Sequence, residues 1–271
     1  MNRAEGLPGR PPATTWERMR ARVNRYAPEL IAPQPGGGAC CVVCRGPARP
    51  GYARCYQCGT HRADAQGMLA DAVVPISYAV QGGGHAAALR AYKSDPPDAG
   101  ARARLRALLL VFLRGHGACV WRYAAIPPPA RVAVVPGGQG RPGPHPLTTL
   151  VLPYLTLTEV VLAVRPGEPM ERAVNPWRFA AGRGAAGASV LLLDDTWVSG
   201  ASAQSAAVAL RMAGARHVAV VVLARHLNPA DPGSRPMISA LAAAPYDPEV
   251  CAVHGRGGQS GYLRMKSTNG I

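Results

Sequence analysis

Lysine and phenylalanine are nearly missing from this chain, with two residues of each among 271. Almost all positive charge is therefore arginine, and alanine, valine and leucine have to fill the core. Hydrophobic residues make up 48% of the chain, enough for a sizeable interior. Acidic residues are also scarce: 15 Asp and Glu stand against 30 Lys and Arg, a formal net charge of +15. Enrichment in Ala, Arg, Gly and Pro fits a GC-rich genome, which explains arginine in place of lysine but not the excess of positive charge. A basic surface attracts phosphorylated ligands, pyrophosphate or nucleic acid. The charge is nonetheless spread along the chain, with modest runs such as Arg102, Arg104 and Arg106, so solvated faces account for much of it. Apolar runs near the roughly 20 residues that span a bilayer are absent as well. The N-terminus carries charges without an apolar signal region, so the expectation is a cytoplasmic protein with no membrane insertion.

The most informative stretch is Val190-Leu191-Leu192-Leu193-Asp194-Asp195-Thr196-Trp197-Val198-Ser199-Gly200-Ala201-Ser202. An apolar strand over 190–193 ends in two adjacent carboxylates, a short loop follows, and a helix is expected over 203–213. Gly214 stops that helix, and a second apolar strand covers 217–223. Continuous apolar strands joined by a helix make the unit of a parallel sheet, whose ligands bind at the carboxyl ends of the strands. Backbone N–H groups and hydroxyls of Ser199, Gly200, Ala201 and Ser202 suit an anion at a helix N-terminus. Asp194 and Asp195 accept only, so they suit the two hydroxyls of a ribose or a hydrated Mg²⁺. Taken one at a time, a turn at Asp195 and a helix cap at Ser202 explain the same residues. Strand, carboxylates, loop and helix in this order favour a ribose 5-phosphate.

This segment resembles the phosphoribosyl-pyrophosphate (PRPP) motif of type I phosphoribosyltransferases: apolar strand, Asp-Asp, two variable residues, Thr-Thr-Gly-x-Thr. Val198-Ser199-Gly200-Ala201-Ser202 stands in the last five places. Ser199 and Ser202 keep a hydroxyl and Val198 loses one. The resemblance implies PRPP contacts from Asp194 through Ser202, Thr196 and Trp197 included.

Five of the seven cysteines lie within 37–66. Cys41-Val-Val-Cys44 and Cys55-Tyr-Gln-Cys58 are two Cys-x-x-Cys pairs, the spacing of a tetrahedral four-thiolate zinc ribbon or knuckle. So small a segment has no core of its own, and Zn²⁺ would supply its folding energy in a structural role. Cys40 in place of Cys41, or His61 as fourth ligand, remains open. Cys119 and Cys251 read as isolated core or surface thiols.

A zinc module ahead of a phosphoribosyltransferase-like domain is similar to the ComF-type proteins, named for a role in DNA uptake. Ala88-Leu89-Arg90-Ala91-Tyr92-Lys93 resembles that family's Leu-x-x-x-Lys-Tyr/Phe segment. Arg172-Ala-Val-Asn175 resembles its Arg-x-x-Asn, with Asn175 also suited to a turn before Pro176. The resemblance covers about residues 38–226. It implies that the loop after the first core strand, Pro136-Gly137-Gly138-Gln139-Gly140-Arg141, cradles the pyrophosphate, with Gly137, Gly138, Arg141, Arg172 and Lys93 as candidate contacts. Gly140-Arg-Pro-Gly-Pro-His145 replaces the family's Arg-Gly-Phe/Leu-Asn-Gln, and the stretch 165–187 lacks its Thr-Pro-Gln, so turnover is in question.

The expected fold is an α/β open parallel sheet of the type I phosphoribosyltransferase kind with a small N-terminal zinc-ribbon module. Core strands are expected over 131–135, 160–164, 190–193 and 218–223, with an additional strand over 72–80. Helices are expected over 102–113, 146–157 and 203–213, with short ones over 16–26 and 237–244. Residues 1–36 read as a loose Pro/Arg/Gly-rich segment, 37–66 as the zinc module, 67–226 as the phosphoribosyltransferase-like domain and 227–271 as a Pro/Gly-rich extension. The implied function is transfer of phosphoribosyl from PRPP, with Mg²⁺, to an unidentified nitrogen acceptor with release of pyrophosphate. The alternative is a non-catalytic DNA-uptake protein that binds single-stranded DNA or a partner protein. Homo-oligomer formation is left open, and nothing in the sequence names a general base.

Overall fold

The computed structural model describes residues 14–65, 67–137, 144–168, 172–241 and 245–253. Along the chain, α1 (Thr15–Tyr26) and α2 (Tyr56–Asp64) precede β1 (Ala72–Val80), α3 (Gly84–Ala91), α4 (Ala99–Ala124) and β2 (Arg131–Val134). Then come α5 (Pro146–Val151), β3 (Thr158–Glu159), β4 (Leu162–Val164), β5 (Phe179–Ala181), β6 (Ser189–Trp197), α6 (Ala201–Met212), β7 (His217–Leu227) and α7 (Ser234–Leu241). Five strands pair in parallel in the order β1-β7-β6-β2-β3, the open parallel α/β sheet that the apolar runs predict. Strands β4 and β5 form a separate antiparallel pair.

Alternation along β6 and β7 divides the core into two layers, because successive strand residues face opposite sides of a sheet. Leu191, Leu193, Val221 and Leu223 face a cluster built on α4, whose Leu105, Leu108, Leu109, Phe112 and Trp121 are buried there. Val190, Leu192, Val218, Val220 and Val222 face the alanine-rich α6. Cys41, Cys44 and Cys58 belong to this second layer, so the cysteine segment packs on the domain core. Alanine lets α6 lie close to the sheet, which answers how a core with so little phenylalanine is filled. Helix α1 starts with a capping box between Thr14 and Glu17 and buries Val23 and Tyr26 in the α4 layer.

Several boundaries differ from the sequence expectations. The helix expected over 102–113 starts at the cap Asp98 and has 26 residues. Its Gly115 and Gly117 cost about 1 kcal/mol each relative to alanine, which burial of the flanking turns offsets. The helix expected over 146–157 stops at Val151 and passes into a 3₁₀ turn, Leu152–Tyr154, because Pro153 has no N–H and its ring obstructs the preceding turn. The strand expected over 160–164 is split. Val160 still donates to the Val132 carbonyl at 2.8 Å, but the Val161 carbonyl accepts from Gly182 at 2.9 Å and draws the chain into the β4–β5 pair. Strands β6 and β7 run four residues past their expected ends because their mutual pairing continues to Trp197 and Arg225, and that of β1 with β7 to Leu227. Pro75 is tolerated in β1 because β1 is an edge strand. The helix expected over 237–244 is Ser234–Leu241, and 242–244 lie outside the described residues. Among the described residues no helix is long and apolar enough to cross a membrane.

Candidate functional site

From β2 the chain moves outward to β3, whereas from β6 it moves to β7 on the other side, so the strand order reverses between β2 and β6. In open α/β sheets a crevice forms at the carboxyl ends of the strands at such a reversal. Asp194 and Asp195 lie near the carboxyl end of β6, and Gly137 follows the end of β2. Asp195 continues the parity of Leu191 and Leu193 and faces the α3–α4 side; Asp194 continues that of Val190 and Leu192. The two carboxylates are therefore divided between two faces.

Asp195 is only 4% exposed and is the acceptor of a three-donor network. The Tyr92 hydroxyl donates to its Oδ2, the Lys93 ammonium pairs with the same oxygen, and His145 Nε2 lies 3.3 Å from it. Tyr92 and Lys93 close the C-terminal end of α3, and His145 caps α5. Nδ1 of His145 accepts from the Leu147 N–H at 3.2 Å, which leaves the ring proton on Nε2 to be donated to Asp195. Burial alone would raise the Asp195 pKa, but the His145 hydrogen bond and the Lys93 charge hold it well below the usual carboxylate range. Tyr92 entered the sequence reading only within a family-like segment, and His145 only as the end of a departing loop. Nothing local in either points to Asp195.

Asp194 has the opposite character. Burial and the neighbouring Asp195 charge push its pKa up to about 8, opposite in direction to that of Asp195. Its Oδ1 accepts the Asp195 N–H at 2.8 Å. Between its ordinary 3.8 and about 8 the folded state binds more protons at this site than the unfolded state, so its contribution to stability falls as pH rises through that window. Asn keeps the Oδ1 acceptor without the charge. Asp194→Asn is thus expected to raise the melting temperature of the ligand-free protein relative to wild type, by a margin that grows from pH 4 to pH 8 and then levels. Thermal melts across that range check this, and a margin independent of pH would refute it.

The residues after the carboxylates take different places. Thr196 lines a cavity of about 450 Å³ together with Ala79, Leu89, Arg90, Lys93 and His226 among others. Trp197 is buried at 1% exposure beneath Gly200, and Val198 is exposed. Ser199 Oγ accepts the Ala201 N–H at 3.3 Å. Gly200 has φ +86° and is the N-cap of α6 without a side-chain cap, so the helix starts at Ala201, two residues earlier than expected. Ala201 and Ser202 form its first turn, with Ala201 buried and Ser202 half-buried. Early N–H groups of a helix have no partner within it, and the dipole makes that end attractive to anions.

Gly137 joins this site through His145, whose ring would lie 3.4 Å from a Cβ added at that glycine. Gly138 and Arg141 lie outside the described residues. Arg172 is exposed, and its carbonyl lies 3.1 Å from His61 Nε2 on α2. Asn175 makes the expected turn, its Oδ1 accepting the Trp177 N–H at 2.9 Å.

The four cysteines Cys41, Cys44, Cys55 and Cys58 come together with all four sulfurs within 4.8 Å of one another. Cys44 and Cys55 sulfurs are 3.8 Å apart. Zn–S bonds of about 2.3 Å in a tetrahedron give sulfur–sulfur edges of about 3.8 Å, so the cluster fits a zinc ion. Cys40 and His61 are outside this group. Hydrogen bonds from the thiols of Cys44, Cys55 and Cys58 hold the Cys41 thiol far below its ordinary range. Arg225 connects the cluster to the site: a Cβ at Gly46 would lie 2.6 Å from its guanidinium, which also donates to the Trp197 carbonyl at 3.1 Å. Arg45, 1% exposed, donates from Nε to the Ala252 carbonyl at 3.2 Å.

Cys119 and Cys251, expected to be isolated, are instead neighbours: their sulfurs and a ring nitrogen of His116 lie within 4.8 Å of one another. They are 131 residues apart between positions 119 and 251, and no local pattern joins them. Compared with known protein families, with curated proteins and with solved structures, the chain matches none of them.

Proposed function

We propose that the protein binds PRPP with Mg²⁺ at the carboxyl end of the sheet and transfers its phosphoribosyl group to a nitrogen nucleophile, releasing pyrophosphate. The observation that carries this reading is the juxtaposition, at the reversal of strand order, of a raised-pKa carboxylate and the α6 N-terminus, whose N-cap Gly200 has no side chain to cap it. The 5-phosphate of the ribose would take the N–H groups that follow Gly200 and the Ser199 and Ser202 hydroxyls. Asp194 would accept from the ribose hydroxyls or supply an oxygen to Mg²⁺. Asp195 is the anchor, held by Lys93, Tyr92 and His145, and it sets the position of its neighbour. Bound Mg²⁺ would neutralise pyrophosphate charge as it separates. The cavity bearing Arg90 adds positive potential beside the same strand ends. Zn²⁺ in the four-cysteine cluster would be structural, because four thiolates leave no open position.

Calorimetric titration with PRPP and Mg²⁺ tests the reading. Micromolar binding is expected for the wild type, weakened at least about tenfold in Asp194→Asn, a loss of 1.4 kcal/mol or more. Failure of the folded wild type to bind would overturn the reading. In that case the net charge of +15 leaves single-stranded DNA as the ligand to titrate next, with a salt-dependent affinity that survives Asp194→Asn.

A further inference from the structure

His116 and Cys119 are three residues apart on α4, so their side chains share one face of that helix. Cys251 arrives on this face from the segment after α7. All three are buried, at 4%, 1% and 2% exposure respectively. The His116 ring explains why this is more than a packed trio. Its Nε2 lies 2.8 Å from the Pro248 carbonyl. A carbonyl only accepts, so the ring proton is on Nε2 and the lone pair is on Nδ1. Nδ1 is buried, and the group it faces is the Cys251 thiol. A metal-ligating histidine has this form: one nitrogen facing thiol ligands and the other N–H on a backbone carbonyl.

We propose that His116, Cys119 and Cys251 ligate a second structural Zn²⁺, separate from the four-cysteine cluster. Two thiolates cancel the charge of the ion, which makes a neutral group suited to a buried place. A disulfide between the two cysteines would use the sulfurs and leave Nδ1 unsatisfied; zinc uses all three donors. Zinc is four-coordinate in structural sites, so one further ligand is needed. Among the described residues, His116, Cys119 and Cys251 supply three of these ligands. The ion would fasten the C-terminal segment to α4 and close a long loop of chain, where a cross-link restricts the unfolded state most. The same segment already meets the cysteine module through Arg45 and the Ala252 carbonyl.

The test is zinc content of the full chain, purified under reducing conditions with zinc, with cobalt substitution alongside. Wild type is expected to hold about two zinc ions per chain and Cys251→Ala about one, with Cys251→Ala keeping the far-ultraviolet circular dichroism of wild type. His116→Ala serves as a second variant with the same expected loss. In the cobalt form, the ligand-field bands of a mixed nitrogen–sulfur site should vanish in both variants while those of the four-thiolate site remain. About one zinc per wild-type chain, unchanged by Cys251→Ala, would overturn the proposal. So would a Cys119–Cys251 disulfide found by peptide mapping of protein purified without reductant.

Discussion

Replacing Gly200 by alanine is expected to lower the melting temperature by roughly 10 °C. Two costs combine at this position. The backbone is left-handed at φ +86°, which costs a residue with a Cβ about 1–2 kcal/mol. An added Cβ would also lie 2.0 Å from Cζ2 and 2.2 Å from Cε2 of the buried Trp197 indole. Such overpacking costs about 1–3 kcal/mol even after relaxation. At about 2–4 °C per kcal/mol for a domain of this size, the sum brings a loss of that order. Gly187→Ala separates the two terms, because Gly187 has φ +69° but no atom near its missing Cβ. It should lose about 1–2 kcal/mol, the backbone cost alone. Equal melting temperatures for Gly200→Ala and wild type would refute the packing of Trp197 under the loop. Gly200 thus admits the indole that supports the loop from below.

Removing one ligand of the four-cysteine cluster should have the other large effect. Cys58→Ser is expected to release about one zinc ion per chain and to expose the amides around residues 40–62 to hydrogen exchange, while those of β6 and β7 stay protected. Structural zinc contributes on the order of 10 kcal/mol to the folding of small modules, far more than the few apolar side chains between Cys40 and His61 can supply. Cys41, Cys44 and Cys58 also form part of the core layer beneath α6, so the melting temperature of the whole domain should fall as well. Zinc analysis and hydrogen-exchange mass spectrometry check both parts. Full protection of the segment in a zinc-free variant would show that its folding does not depend on metal.

Sheet and knuckle were legible in the chain because their signals are local. Apolar runs at 190–193 and 218–223 mark strands buried on both faces, and β1 is found at Ala72–Val80 as expected. Two Cys-x-x-Cys pairs ten residues apart bring four sulfurs together over a separation that any tight turn can close. Expectations failed where neighbours decide: strands lengthened when flanked on both sides, Pro153 cut a helix short, and a Gly182 hydrogen bond drew one strand into another ladder.

Asp195 shows the same division within the site. Its place at the end of an apolar strand can be read from a dozen residues. Its partners Lys93, Tyr92 and His145 come from 103 and 50 residues away, counting from Tyr92 and His145. His116, Cys119 and Cys251 meet across a still longer separation. The residues alone determined which segments are strands, which helices, and that two Cys-x-x-Cys pairs lie close enough to share an ion, since those choices depend on side chains a few positions apart; the structure chose Cys41 over Cys40 and left His61 outside. Only the tertiary structure decided which distant donors surround one carboxylate and which distant thiols face one histidine. Such meetings depend on which strands become neighbours in the sheet, and that is set by burying both faces of the whole sheet at once rather than by any local pattern.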